Sequence, residues 1–195
     1  MQPISVENLS FAYKPGKTIL ENISFSIRSG CITSVLGPNG SGKTTLLKLL
    51  LGLNQPTSGT IRIFDRNITD MSFSERARRL AYVPQQHKAV FSYKVADIAA
   101  MGRLPHTGIF CQITVADEKI ARENLEKMGI LHLAECSYTE ISGGEQQLVL
   151  IARALSQGAD ILILDEPVAG LDYGNQLLLL KHLRNLAVSG ITCIK

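Results

Sequence analysis

Apolar and polar residues alternate along this chain with two different periods, and the switches between them lay out its elements. At 23–28, Ile23, Phe25 and Ile27 alternate with Ser24, Ser26 and Arg28, the two-residue period of a strand with one buried face. A turn at Ser29 and Gly30 leads to 31–36, a β-rich and mostly apolar run that predicts a further strand. Residues 46–51, all leucine except Lys48, predict a buried helix. The turn cluster at 54–59 precedes a short strand at 60–64, and a helix at 73–80 leads to an apolar strand at 81–83, ended by Pro84. Residues 88–136 read mainly as helices, predicted at 95–101, 117–128 and 131–136. Asp117 and Glu118 put negative charge in a first turn, and Gly129 suits the end of that helix. A helix at 145–155 leads to Ile161, Leu162, Ile163 and Leu164, an unbroken apolar run typical of a strand covered on both faces. Helix and strand then alternate once more, up to 191–195. The pattern predicts an α/β domain with parallel strands, interrupted by a helical insertion at about 88–157.

Composition narrows the class. With 195 residues and 45% apolar content, the chain can bury a real core, and 1–195 reads as one domain. Its net charge is +3 and its basic residues are scattered, so no basic stripe supports nucleic-acid binding. The densest basic cluster, Arg76, Arg78 and Arg79 beside Glu75, reads as a solvated helix face or as a surface for an acidic partner. Cys31, Cys111, Cys136 and Cys193 lack metal-ligand spacing and form no disulfide framework, as expected of reduced thiols in the cytosol. The N-terminus carries no basic-then-apolar leader, and no apolar run is long enough to span a bilayer, so any service to a membrane is expected from outside it.

The most specific chemistry lies at 37–45, where Gly37, Pro38, Asn39, Gly40, Ser41, Gly42, Lys43, Thr44 and Thr45 fit the phosphate-binding pattern G-x-x-x-x-G-K-[ST]. Glycines let the backbone curl so that N–H groups converge on one centre, a helix N-terminus adds partial positive charge, and Lys43 adds an ammonium. Thr44 is placed to hold magnesium. A turn that merely joined two elements would need neither the lysine nor the hydroxyl. Asp165 and Glu166 close the apolar strand at 161–164, on the side of a parallel sheet where ligands bind. There Asp165 can reach the metal and Glu166 can polarise the attacking water, although an acidic pair before Pro167 also starts turns. Ser142 and Glu145 match the capping box S-x-x-E. Gly143 and Gly144 between them suggest more than a cap, since close approach of backbone amides to an anion favours glycine.

Taken together, these segments resemble the nucleotide-binding subunit of an ATP-binding-cassette (ABC) transporter over essentially the whole chain. The resemblance rests on a Walker A loop at 37–45, Gln85 after the third strand, the signature segment Ile141 to Glu145, a Walker B strand ending in Asp165 and Glu166, and Ala169-Gly170-Leu171-Asp172 in place of the usual S-A-L-D. Residues 95–98 and 101–106 further resemble the importers of metal chelates such as iron–siderophore, haem and cobalamin. The implied fold is a P-loop NTPase core with a mainly parallel sheet, N-terminal antiparallel strands and a helical insertion. The implied activity is magnesium-dependent ATP hydrolysis coupled to uptake. Tyr13 would stack on adenine, or else serve as a strand aromatic packing on its neighbours. Gln85 would join Thr44 and Asp165 around magnesium, and Lys43 and Glu166 would act at the γ-phosphate. Ser142, Gly143 and Gly144 would grip the γ-phosphate bound to a second copy of the chain, and Asp172 would bridge the two copies. The other implied partners are a membrane permease, reached through 88–106, and an extracytoplasmic substrate-binding protein. The implied place is the cytoplasmic face of the membrane.

The chain departs from the family pattern at two places. A histidine expected shortly after the strand at 191–194 is absent, since His87, His106, His132 and His182 read as loop or helix residues. The chain is therefore expected to be C-terminally truncated, with its last strand in mid-sheet and hydrolysis impaired. The second departure is Glu145-Gln146 where Gln-Arg is usual. Competing readings are a non-transporter ABC-type ATPase, a hydrolysis-deficient remnant, and a GTPase or small-molecule kinase. The last two lack an explanation for 141–145, and no N/T-K-x-D base-reading motif is present.

Overall fold

A computed structural model describes residues 2–85, 92–106 and 112–195. The predicted start of the insertion at 88, together with His87 and Cys111, lies outside the described residues. Two four-stranded sheets form the body. The antiparallel sheet runs β2(Lys17–Ile27), β1(Ile4–Lys14), β4(Ser58–Ile63), β5(Arg66–Asn67). The parallel sheet runs β3(Ile32–Thr33), β8(Thr192–Ile194), β7(Ile161–Leu164), β6(Leu80–Val83), so the last strand does lie in the middle.

The parallel sheet divides the core because side chains alternate across it. Leu80, Ile161, Ile163 and Ile194 face a cluster built from β1, β2, β4 and helix α1(Lys43–Leu50). Ala81, Val83, Leu162, Leu164 and Cys193 face the opposite cluster, shared with α3(Val95–Ala100), α4(Val115–Lys127), α5(Gly143–Ser156) and α6(Tyr173–Val188). All four residues of β7 are buried, as a strand covered on both faces requires.

Two expectations need correction. The strand expected over 31–36 is regular only at Ile32–Thr33, although Val35 N–H still donates to the Lys195 carbonyl at 2.6 Å before the chain turns into the phosphate loop. No α-helix forms over 131–136, where a 3-10 turn at Leu131–Leu133 stands instead. The carbonyls of Ala134 and Cys136 accept from Ala96 N–H at 2.9 Å and Val95 N–H at 3.0 Å, so this stretch caps α3, whose N-cap Lys94 offers no side-chain bond. The basic cluster on α2(Phe73–Arg79) lies on a helix with no buried residue, as a solvated face would, and two of its arginines also bond within the chain. Arg76 Nη1 donates to the Gly52 carbonyl at 2.7 Å, while Arg79 pairs with Asp160 at 2.6 Å and lies over the Phe64 ring.

The helical half is tied to the sheet half at the C-terminal end of α5. Gln157 Nε2 donates to the carbonyls of Ala77 and Leu80, and its own carbonyl lies 2.6 Å from His106 Nε2. Arg103 bonds Asp117 and the Ser156 carbonyl, each at 2.9 Å, which fixes the 3-10 turn Met101–His106 to the same place. Gly102 packs so closely there that an added Cβ would lie 2.0 Å from the Arg153 carbonyl oxygen.

Candidate functional site

The phosphate-loop residues stand between β3 and α1 with their backbone exposed. Gly40 and Gly42 take φ of +82° and +95°, the left-handed region that glycine adopts without strain. At Gly42 an added Cβ would also lie 2.9 Å from a methyl of Leu20. Gly42 is the N-cap of α1 and makes no side-chain cap bond, and the first turn contains no acidic residue. The orphan amides and positive pole of α1 therefore face the loop. Lys43 Nζ reaches back across the loop to the carbonyls of Gly37 at 2.8 Å and Pro38 at 3.1 Å.

Asp165 continues β7, its N–H bonded to the Val83 carbonyl at 3.0 Å, and it is almost fully buried. One carboxylate oxygen accepts from Thr44 Oγ1 at 3.2 Å, and the other accepts from Tyr82 Oη at 3.4 Å. Burial, then the negative charge of Asp165, pushes the Tyr82 phenol up to about 12, so it remains a donor at any physiological pH. Sequence reasoning missed Tyr82. Its signal is alternation, since it faces away from Ala81 and Val83 on a strand that pairs beside the acid.

Glu166 is exposed and has φ of +46°, a left-handed backbone in a residue with a full side chain. Its Oε2 accepts from Gln85 Nε2 at 2.7 Å. Lys43, Thr44, Thr45, Asn39, Gly40, Gly42, Gln85 and Glu166 line one cavity of about 400 Å³. A second cavity, of about 290 Å³, lies on the other side of Lys43, between Asp165, Glu166 and the apolar residues Val35, Leu47 and Val168. Tyr13, 58% exposed, stands nearby with its hydroxyl 3.4 Å from Thr45 Oγ1 and an equal distance from Asn54 Nδ2, its ring edge against Phe11. Asn54 was another residue the sequence did not single out.

The remaining sequence-predicted residues form a separate group that does not line either cavity. Ser142 caps α5 with a complete capping box, Glu145 Oε2 accepting from Ser142 N–H at 2.8 Å and from Ser142 Oγ at 2.6 Å. The Ser142 bonds pull the Glu145 carboxyl below its usual value. Gln146, where the family pattern has arginine, donates to the carbonyls of Tyr138 and Ile141 and so binds the loop that precedes the cap. Asp172 caps α6. One chain thus holds an anion cradle with a hydroxyl–carboxylate pair beside it, and, apart from these, two capped helix starts.

The donor set suits magnesium. A hydroxyl, one carboxylate and one amide supply oxygen atoms and leave room for water and phosphate, the way this ion is usually held. Among the described residues no group of three or more His, Cys, Asp and Glu side chains forms a denser metal site.

Comparison with known proteins fits this geometry. A family model described as ABC transporter matches residues 20–169. An uncharacterised ABC transporter ATP-binding protein of Haemophilus influenzae is 41% identical over 191 residues, covering 98% of this chain and 72% of its own length. A Helicobacter pylori protein assigned to iron chelatin transport as its ATP-binding protein is 42% identical over 176 residues, covering 90% of this chain and 69% of its own. A chain of a transporter assigned to the metal-chelate type, solved in an inward-facing conformation, superposes with a TM-score of 0.87 at 36% identity, covering 99% of this chain and 71% of that one. A cradle of amides and one ammonium, a buried carboxylate bonded to the adjacent hydroxyl, and matches of this extent lead to one conclusion: the chain belongs to the ABC transporter family, as an ATP-binding subunit of its ATPase kind.

Proposed function

We propose that this subunit hydrolyses ATP to drive import of a metal chelate of the iron–siderophore, haem or cobalamin type through a membrane permease. The observation that carries the catalytic part is the Thr44–Asp165 bond of 3.2 Å, which joins the phosphate loop to the strand end that also bears Glu166. The cargo class is supported by the assignments of the similar proteins and by the segments at 95–98 and 101–106.

In this reading Lys43 exchanges its two loop carbonyls for phosphate oxygens when the nucleotide enters, and the α1 amides take the rest of the charge. Tyr13, exposed at the loop's far side, stacks on the base. Thr44, Asp165 and Gln85 would hold magnesium, which would supply positive charge to the phosphates. Glu166 then orients the attacking water and accepts its proton through an oxygen that Gln85 does not hold. Hydrolysis is completed across a pair of chains, with Ser142, Gly143, Gly144 and Asp172 of each acting on the nucleotide held by the other. Their separation from the Lys43 cavity supports that division. Motion passes to the permease through the insertion, proposed at about 88–157, and a substrate-binding protein delivers the cargo outside. The subunit sits peripherally on the cytoplasmic face; among the described residues no helix is long and apolar enough to cross a membrane.

Glu166→Gln tests the reading. Steady-state ATP turnover is expected to fall by about 100-fold or more, the scale of a lost general base, while Mg·ATP affinity is kept and a dimer accumulates in size-exclusion chromatography with ATP present. Normal turnover by this variant would refute the role given to Glu166.

A further inference from the structure

We propose that Asn175 is a positioning residue that locks the Asp172 loop to the glycine pair at the start of α5, so that the two present themselves to a second copy as one unit. The inference rests on the reading above, in which both segments act across that contact. Asn175 N–H donates to Asp172 Oδ1 at 3.0 Å, and Asn175 Nδ2 donates to Asp172 Oδ2 at 2.5 Å. A single residue thus occupies both carboxylate oxygens and fixes the rotation of the Asp172 side chain. The same bonds hold the Asp172 carboxyl below its usual value.

The face of the same Asn175 amide lies against Gly144. A Cβ built there would stand 2.8 Å from Nδ2, 2.9 Å from Cγ and 3.2 Å from Oδ1, so a methyl group would have to push the Asn175 amide out of this position. At Gly143 a Cβ would meet nothing within 4 Å. The two glycines therefore answer to different demands. Gly144 is buried and its lack of a side chain accommodates Asn175; Gly143 is exposed, and among the described residues no neighbour requires it. Asparagine fits the post because its NH2 can donate to Asp172 while its flat neutral face rests on a Cα. Aspartate would set two carboxylates against each other, and glutamine would reach too far. The starts of α5 and α6, the positive ends of two helices, thereby meet at Asn175.

The lock is tested on the full chain by amide exchange and by kinetics. In Asn175→Ala without nucleotide, exchange is expected to quicken about tenfold both at 172–176 and at 143–147, with α3 unchanged. The exchanged pair Asp172→Asn with Asn175→Asp restores the donor–acceptor contact and is expected to recover most of the protection. Faster exchange at 172–176 alone would overturn the proposal. In ATP turnover, Asn175→Ala is expected to lower kcat about tenfold while affinity for a fluorescent ATP analogue stays within twofold. Gly144→Ala is expected to be as damaging alone, yet to add less than twofold in the Asn175→Ala background, where the collision is gone. Losses that multiply would overturn the lock. If turnover of the parent chain is independent of its concentration, the two-copy reading fails, and the exchange experiment still decides whether Asn175 couples the two segments.

Discussion

The starts of α1 and α5 carry the same kind of sequence, small residues followed by polar ones, yet they are finished in opposite ways. At α5 the helix completes itself, with Ser142 and Glu145 bonding each other's backbone and an acidic side chain facing the positive pole. At α1 the cap is a glycine in the left-handed region, no side chain bonds the first amides, and Lys43 adds a further positive charge. The other helices follow α5. Helices α2 and α4 have full capping boxes, α6 is capped by Asp172, and α3 is finished by the carbonyls of Ala134 and Cys136. Among the α-helices of the described residues, the start left unfinished is that of α1, at the phosphate loop. A capped terminus supports the fold without ligand, whereas an uncapped one stores its unmet hydrogen bonds for an anion.

The sharpest way to break this contrast is Lys43→Ala. Two charge-assisted bonds at about 1.5–3 kcal/mol each are lost to the phosphates, so Mg·ATP affinity by calorimetry is expected to fall by about 100-fold or more while ligand-free stability barely moves. A matching experiment raises Mg·ATP to a hundred times the parent's dissociation constant. The parent is expected to gain about 2.7 kcal/mol against denaturant, Ser142→Ala to keep that gain, and Lys43→Ala to lose it. Ser142→Ala itself shows the mirror-image effect, with a loss of about 1 kcal/mol in ligand-free stability and first-nucleotide affinity within twofold of the parent. Equal ligand dependence in the two variants would erase the distinction between the helix starts.

The smallest effect is a pH dependence at another self-completed start. In α4 the Thr114 hydroxyl first, then Arg103, lowers the Asp117 carboxyl from 3.8 to about 2. A lowered value means the ionised form is favoured by folding, so this contribution is fully present above about pH 4 and is lost as pH falls towards 2. Asp117→Asn is expected to flatten acid unfolding in that window, read by circular dichroism, while leaving nucleotide affinity alone.

Much of the site was legible because its chemistry is local. The phosphate loop, the acidic pair after an apolar strand and the box at 142–145 each lie within a few consecutive residues; in the fold the loop leads into α1, the acidic pair follows β7 and the box caps α5. What escaped notice is held by contacts between distant segments. Tyr82 reaches Asp165, Asn54 reaches Tyr13, and Gln85 holds Glu166, each across many residues. The failed helix at 131–136 is the same lesson in reverse, since its composition favoured a helix but α3 claimed two of its carbonyls. Gly144 shows what local reading leaves out: its glycine suggested anion approach, and the structure adds Asn175 as an immediate neighbour.

By itself the sequence determined the order of elements and the residue types at the cradle, because period and short-range spacing are properties of consecutive residues. It also determined which helices could close their own ends. Only the tertiary structure decided that β8 runs between β3 and β7, that Thr44 meets Asp165, and that Ser142 lines neither cavity at Lys43. These depend on which apolar faces pack together when the parallel sheet separates the two halves of the core, and burial is nondirectional until the whole chain has chosen a single packing.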